Sequence, residues 1–246
     1  MRPLLKAITF DLWNTLYKAP PDNNLSEMRA SKISQVLGEM GLDSDLETIR
    51  RVFLDCWQYA HRYQLESGLD ITPRGHVDFI VHKLQLHLSR ENWQRVYDVY
   101  TSILLDYPPE LNDGVKDTLP VLAAKYKLAV ICNTGMSPGT VIREIMKADD
   151  IFRFFELEVF SDEVLWAKPN VKIFSYTLEK LGIENCQAAH VGDDWSTDVT
   201  GAKRAGMLSV WLAPEEQDKV TGTDFQIRTI AELNGLFEEY SRQEDQ

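Results

Sequence analysis

The chain has 246 residues, 44% of them hydrophobic, enough to bury a sizeable core in one large domain or two modest ones. A net charge of −12 and an isoelectric point near 4.9 argue against a nucleic-acid partner or an anionic membrane surface, since either would repel it. A small anionic substrate stays compatible if a cation or a lysine neutralises it locally.

The opening residues Met1-Arg2-Pro3-Leu4-Leu5-Lys6 form too short an apolar run for a signal peptide, and no stretch is long and apolar enough to span a membrane. Cys56, Cys132 and Cys186 lie far apart without paired spacing, as reduced thiols do. These features together predict a cytoplasmic protein.

Ala7-Ile8-Thr9-Phe10 is a β-prone run that stops at Asp11, the pattern of a buried parallel strand. The next stretch is helical throughout. Ile33, Leu37 and Met40 make one stripe, and Leu46, Ile49, Phe53, Cys56 and Ala60 a second, ending before Gly68. Val77, Ile80, Val81, Leu84 and Leu88 make a third, and Trp93, Val96, Tyr97, Tyr100 and Leu104 a fourth. The aromatics Trp57, Tyr59, Tyr63, Trp93, Tyr97 and Tyr100 of this stretch are expected in the bundle core. His61, His76, His82 and His87 are expected at the surface or internally satisfied.

After Pro108-Pro109 strands and helices alternate. A helix carries Leu119, Leu122, Ala123 and Tyr126 on one face, with Pro120 near its start. Leu128–Cys132 is a strand, and Ser137-Pro138 predicts an N-cap followed by proline at the first helical position. Strands follow at Leu157–Phe160, Ala188–Val191 and Leu208–Leu212. Asn170 is expected to cap a helix that Gly182 stops. The last helix is expected over Ile230–Tyr240, with a frayed tail. The predicted fold class is α/β: a Rossmann-like parallel sheet core with helices on both faces, over residues 1–17 and 108–246. Residues 18–107 form an inserted α-helical bundle.

Ligands of such sheets bind outside the carboxyl ends of the strands. Asp11, Thr15, Asn133, Thr134, Gly135, Lys168, Asp193, Asp194 and Asp198 fall there. A lone strand-end aspartate often caps the following helix, and acids such as Asp194 and Asp198 favour a helix start. Several carboxylates brought together repel one another unless a hard cation binds them, and oxygen ligands suit magnesium. Lys168, before Pro169, is placed to neutralise a nucleophile and a substrate oxyanion. Asn133, Thr134 and Gly135 can donate hydrogen bonds to a phosphoryl oxygen. His190, inside its strand, is expected to be buried structure.

In this order the segments resemble the four motifs of the haloacid dehalogenase superfamily. Phe10-Asp11-Leu12-Trp13-Asn14-Thr15-Leu16 is similar to the first and Ile131-Cys132-Asn133-Thr134-Gly135 to the second. Lys168-Pro169 resembles the third, and Gly192-Asp193-Asp194-Trp195-Ser196-Thr197-Asp198 the acidic fourth, continued by Gly201-Ala202 and Ala205-Gly206-Met207. The insertion resembles the family's helical cap. The resemblance implies that Asp11 is a nucleophile, supported by Thr15 and Lys168, and that it forms an aspartyl ester which water hydrolyses. It implies Mg2+ held by Asp11, the Trp13 carbonyl and Asp193, with Asp198 ligating directly or from behind. Asn133, Thr134 and Gly135 would bind a small phosphorylated substrate. Nothing in the sequence sets an oligomeric state.

Two positions depart from the family pattern. Its phosphatases carry a second aspartate two residues after the nucleophile, where this chain has Trp13; positioned proton transfer is worth roughly two to four powers of ten in rate. The motif-two hydroxyl aligns with Cys132, a weak donor, with Thr134 as the alternative. The family's dehalogenases also place an aromatic residue where Trp13 stands, but need no metal and have a less acidic fourth motif. The expectation is therefore a magnesium-dependent phosphatase. The alternatives are a metal-free 2-haloacid dehalogenase-type hydrolase, or a weakly active relative that binds a ligand or partner. For a cap residue reaching the site, Arg29 and Arg51 are both candidates.

Overall fold

The computed structural model describes residues 4–18, 24–42, 45–213 and 222–242. Six strands, β1 (Ala7–Phe10), β2 (Lys127–Cys132), β3 (Leu157–Phe160), β4 (Ala188–Gly192), β5 (Leu208–Leu212) and β6 (Phe225–Ile227), form one all-parallel sheet. Their order is β3-β2-β1-β4-β5-β6. The chain leaves β1 for β2 on one side and later returns to β4 on the other. The crevice at this switch, beyond the carboxyl end of β1, is where such sheets bind ligands.

Strand alternation sorts the side chains by face. Ile8, Phe10, Leu128, Val130, Cys132, Ala189 and Val191 enter one core. It is roofed by α5 (Val115–Ala123), α6 (Gly139–Ala148) and α10 (Glu232–Arg242). Ala7, Ala129 and Ile131 enter the other, against α8 (Val171–Leu181) and α9 (Thr200–Arg204). Asp11, one step beyond Phe10, continues the Ala7–Thr9 side, on which His190 also lies.

Between β1 and β2 stand four helices: α1 (Asn24–Glu39), α2 (Leu46–Ser67), α3 (Pro73–Lys83) and α4 (Arg90–Asp106). They carry their own hydrophobic cluster, centred on Ile33, Leu37, Phe53, Val77 and Tyr100. Asp45 caps α2 by accepting from the Thr48 N–H, and Gly68 ends it at φ 67°. Helix α4 packs on α6, and the chain after α2 is stitched to the core. Asp70 N–H donates to the Leu165 carbonyl and Ala167 N–H to that of Gly68.

Several expectations need correcting. Ser137 does not cap α6: Pro138 is the N-cap residue and has no side-chain acceptor to offer. Asp162 does that work instead, accepting from the Gly139 N–H at 3.2 Å. Pro120 lies inside α5 rather than near its start, and Tyr126 lies beyond its end. Leu88 falls outside α3, because the chain turns through Gln85 at φ 55°. Lys168 is separated from β3 by a further short helix, α7 (Ser161–Val164). The bundle aromatics are not all core: Tyr100 is fully buried, whereas Trp57 is 51% and Tyr59 41% exposed. Strand β6 was not expected, and α10 starts and ends two residues later than predicted. Residues 1–3 and the tail beyond Arg242 lie outside the described residues. Asn170 and Gly182 bound α8 as expected.

Candidate active site

Motif-one residues are held at both ends of a tight turn. The Asp11 N–H donates to the Val191 carbonyl, and Asn14 takes φ 58°, a conformation asparagine tolerates better than most residues. Asn112, reaching back from the segment after α4, donates from its amide to the Asn14 and Thr15 carbonyls, both at 2.9 Å. Asn14 in turn donates to Asp193 Oδ2 at 3.1 Å, and Trp211 Nε1 donates to the Asp193 carbonyl at 2.8 Å. The first and fourth motifs are thus tied side chain to side chain.

Lys168 is the hub. Its side chain is 2% exposed, and Nζ lies 2.5 Å from Asp11 Oδ1 and 2.7 Å from Asp198 Oδ1. His190 Nε2 stands 3.2 Å from the same Asp198 oxygen, and His190 Nδ1 lies 2.8 Å from Thr9 Oγ1. Burial holds His190 below its ordinary range, so the ring is neutral. Its single N–H then faces Asp198, and Nδ1 accepts from the Thr9 hydroxyl. Asp198 Oδ2 accepts from the Asp194 N–H at 3.1 Å. A buried polar chain therefore runs from Thr9 through His190, Asp198 and Lys168 to Asp11.

The electrostatics follow from burial and from this lysine. Burial pushes the Asp11 carboxyl up to about 8, against the pull of Lys168 and with a push from Asp198 and Asp193. Burial and the Asp198 charge lift Asp193 to about 6. Asp198 is also buried, but Lys168 and His190 outweigh that and hold it at about 2. Its two carboxylate partners raise the Lys168 ammonium despite its burial. One lysine thus faces three acids. One oxygen from each of Asp11, Asp193 and Asp198 lies within 4.8 Å of the others. A hard divalent cation fits this oxygen-only, over-acidic group. Among the described residues the Asp193 carboxylate is engaged only at Oδ2, by Asn14, and Asp11 Oδ2 meets only the Thr15 hydroxyl at 3.4 Å, while both Asp198 oxygens are taken by Lys168, His190 and the Asp194 N–H.

The remaining sequence-selected residues divide. Thr15 is buried, and its hydroxyl donates to Asp11 Oδ2 at 3.4 Å. Asn133 spends its side chain on the Lys168 backbone, accepting from its N–H at 2.8 Å and donating to its carbonyl at 3.0 Å. It thereby fixes the lysine. The Thr134 hydroxyl joins Asp70 and Ser161 rather than Asp11, at 3.4 and 3.2 Å. Cys132 points into the core on the opposite face of the sheet from Ile131. Gly135 lines a cavity at φ 63°. Asp194 caps the following turn, accepting from Ser196 and Thr197 N–H groups, which is the helix-start role. Trp13 stands half-buried on the cavity wall, tilted against Tyr17.

The cavity, of about 1140 Å³, opens between the motif-one and motif-two loops and the helices α1 to α3. Of the two arginines considered from sequence, Arg29 lines it and Arg51 does not. Sequence reasoning missed Asn112, Asp70 and Ser161 altogether and set His76 and His190 aside. Only the Asn-Asp-Gly turn at 112–114 carried any local signal of this set.

Comparison with known proteins supplies the family. The family model described as haloacid dehalogenase-like hydrolase matches residues 5–206, and the chain belongs to that family. A glyceraldehyde 3-phosphate phosphatase of Methanopyrus kandleri is 25% identical over 97% of this chain and 100% of its own length. The crystal structure of a HAD phosphatase from Thermococcus onnurineus is 26% identical, with a TM-score of 0.67 over 95% of this chain and 98% of that one. A 2-haloacid dehalogenase from Pseudomonas syringae superposes with a TM-score of 0.70 at 20% identity, over 96% of this chain and 100% of that one, which speaks to the fold alone. Among the described residues no helix is long and apolar enough to cross a membrane.

Proposed function

We propose that this hydrolase is a magnesium-dependent phosphatase of small phosphorylated compounds, with Asp11 as nucleophile and residues 18–107 as a substrate-selecting cap. The observation that carries the reading is the group Asp11, Asp193 and Asp198, whose three carboxylates exceed the single charge of Lys168. The phosphatase names of the Methanopyrus and Thermococcus relatives support it.

Asp11 and Asp193, with the Trp13 carbonyl, would hold the ion, while Asp198 orients Lys168 from behind. When bound, the ion neutralises carboxylate and phosphoryl oxygens, so that an anionic substrate can approach. Lys168 adds a fixed positive charge, and it and the bound ion would together offset the burial that pushes Asp11 up to about 8, favouring the ionised form a nucleophile needs. An Asp11 oxygen forms a bond to phosphorus while the bond to the leaving oxygen breaks. Water then attacks the aspartyl phosphate, which frees inorganic phosphate and restores the carboxylate. Asn133 keeps the Lys168 backbone in place through both steps.

Trp13 offers only an indole N–H and cannot exchange a proton with the leaving oxygen. The chain therefore favours acyl phosphates or esters with good leaving groups, which need the least protonation. The same residue is the specific observation favouring the second reading, hydrolysis of a carbon–halogen bond. Turnover of acetyl phosphate and p-nitrophenyl phosphate, with and without magnesium, for wild type and Asp11→Asn, separates the two. Magnesium-dependent turnover lost in the variant upholds the proposal; metal-free halide release from a 2-haloacid overturns it.

A further inference from the structure

Arg29, on α1, is 4% exposed and has no carboxylate partner among the described residues. Its Nε donates to the Tyr100 carbonyl at 2.7 Å, Nη1 meets only the Met136 thioether at 2.9 Å, and the guanidinium lies 5.2 Å from the Tyr100 ring centre. A sulfur is a weak acceptor and an aromatic face a partial counter-charge. A buried cation is normally paired, because leaving it unpaired in a low-dielectric site is costly. Burial depresses the Arg29 guanidinium, and the Tyr100 phenol, not a carboxylate, is what opposes that.

Two neighbouring polar groups are also unsatisfied. His76, 1% exposed, engages Tyr100 through Nδ1 at 3.1 Å, while its Nε2 has no partner among the described residues. Ser137, 2% exposed, likewise has a hydroxyl with no partner among the described residues. Buried polar atoms of this kind are rare unless a ligand or water completes them. All three residues line the cavity that also borders Trp13, Asn133 and Gly135. Glu27, on its exposed rim, is engaged by Arg50 at 3.6 Å.

We infer that Arg29, His76 and Ser137 form a second anion site, so that the substrate carries a further carboxylate or phosphate besides the group delivered to Asp11. This rests on the phosphatase reading of Asp11 and adds to it the class of molecule accepted: phosphorylated acids or bisphosphates rather than phosphate esters with neutral tails. Arg29 supplies the charge and N–H donors. Ser137 supplies a hydroxyl, and His76 a ring nitrogen whose role its Tyr100 bond sets.

The test is a selectivity ratio measured on the intact, magnesium-loaded chain. One arm compares phosphoglycerate with glycerol phosphate, the other fructose bisphosphate with fructose monophosphate. Wild type is expected to favour the doubly anionic member of at least one pair by about tenfold or more in kcat/KM, and the arm that responds distinguishes carboxylate from phosphate. Arg29→Met should lower that ratio by about tenfold or more, chiefly through KM, and Arg29→Lys should retain part of it. Ratios near one in wild type, or a ratio unchanged in folded Arg29→Met, overturn the inference while leaving the phosphatase reading standing. If Arg29→Met fails to fold, Ser137→Ala serves, since that hydroxyl has no partner among the described residues: a drop of about threefold is expected, and no drop overturns the proposal. If wild type hydrolyses none of the four compounds, whose alkyl leaving groups Trp13 cannot protonate, acetyl phosphate remains the test of the phosphatase reading. Calorimetric binding of the same compounds to Asp11→Asn then decides: a preference abolished by adding Arg29→Met upholds the anion site, and no preference overturns it.

Discussion

Replacing Lys168 with methionine removes the one cation that joins Asp11 to Asp198 while leaving most of the side-chain volume. Packing loss should stay below about 1.5 kcal/mol, as volume-conserving exchanges do. The electrostatic loss is larger. Nζ lies 2.5 and 2.7 Å from two carboxylates in a site almost closed to solvent. Removing one partner of a buried pair costs about 3–5 kcal/mol. Asp198 keeps His190 and the Asp194 N–H, so it stays ionised; Asp11, already pushed up to about 8, loses its main stabilising charge. Proton uptake by Asp11 caps the penalty, so the lower end, about 3 kcal/mol, is expected. Urea unfolding near neutral pH in metal-free buffer measures it. Magnesium, binding the same acids, should raise the variant's stability more than the wild type's. Turnover should fall by at least about a thousandfold, because the positive charge that faces both the nucleophile and the incoming phosphoryl oxygens is gone. A variant within about 1 kcal/mol of wild type that still turns over would refute the hub role of Lys168.

Gly192 admits no side chain. A Cβ there would lie 2.3 Å from Asp198 Cγ, which Lys168, His190 and the Asp194 N–H already pin. Gly192→Ala should cost about 1–3 kcal/mol by overpacking and cut turnover sharply; wild-type kinetics would show that Asp198 can move freely. Burial lowers His76 to about 4 from 6.5, so between those pH values the unfolded chain binds a proton the folded chain refuses. That stability is fully present above 6.5 and is lost as pH falls towards 4, by about 3 kcal/mol. The raised carboxyls Asp11, Asp162 and Asp193 act oppositely over this range, so the readout is the difference from His76→Gln. Parallel pH curves would contradict it. Trp13→Asp restores a proton-transfer group beside the nucleophile and should raise turnover of alkyl phosphates by about a hundredfold; no gain in a folded variant tells against the metal reading.

Much of the core was legible because its signals are local. The run Ala7–Phe10 ending at Asp11, the buried alternation of Leu128–Cys132, and the Asn170 and Gly182 helix stops each depend on neighbours in sequence. The strand β6 has only three residues, too few for a period to show. The α6 cap was misplaced because its real acceptor, Asp162, lies 23 residues away. The same distance problem hid functional roles. By sequence Asn133 reads as a substrate donor, yet its amide is bonded to the Lys168 backbone, and His190 reads as inert, yet it bonds Asp198. Thr134 turns to Asp70, a residue of the helical insertion that no local pattern connects to the second motif. Arg29 could be nominated from sequence but not chosen over Arg51, since only the packing of α1 on Tyr100 and Met136 brings it to the cavity.

The central claim is that Asp11 carries the phosphoryl group. Wild type mixed with acetyl phosphate and magnesium, acid-quenched, digested and analysed by mass spectrometry, should yield a phosphoryl adduct on the peptide containing Asp11. The adduct should vanish without magnesium and in Asp11→Asn, together with turnover. Turnover that persists in Asp11→Asn, or an adduct that maps to another residue, would contradict the account.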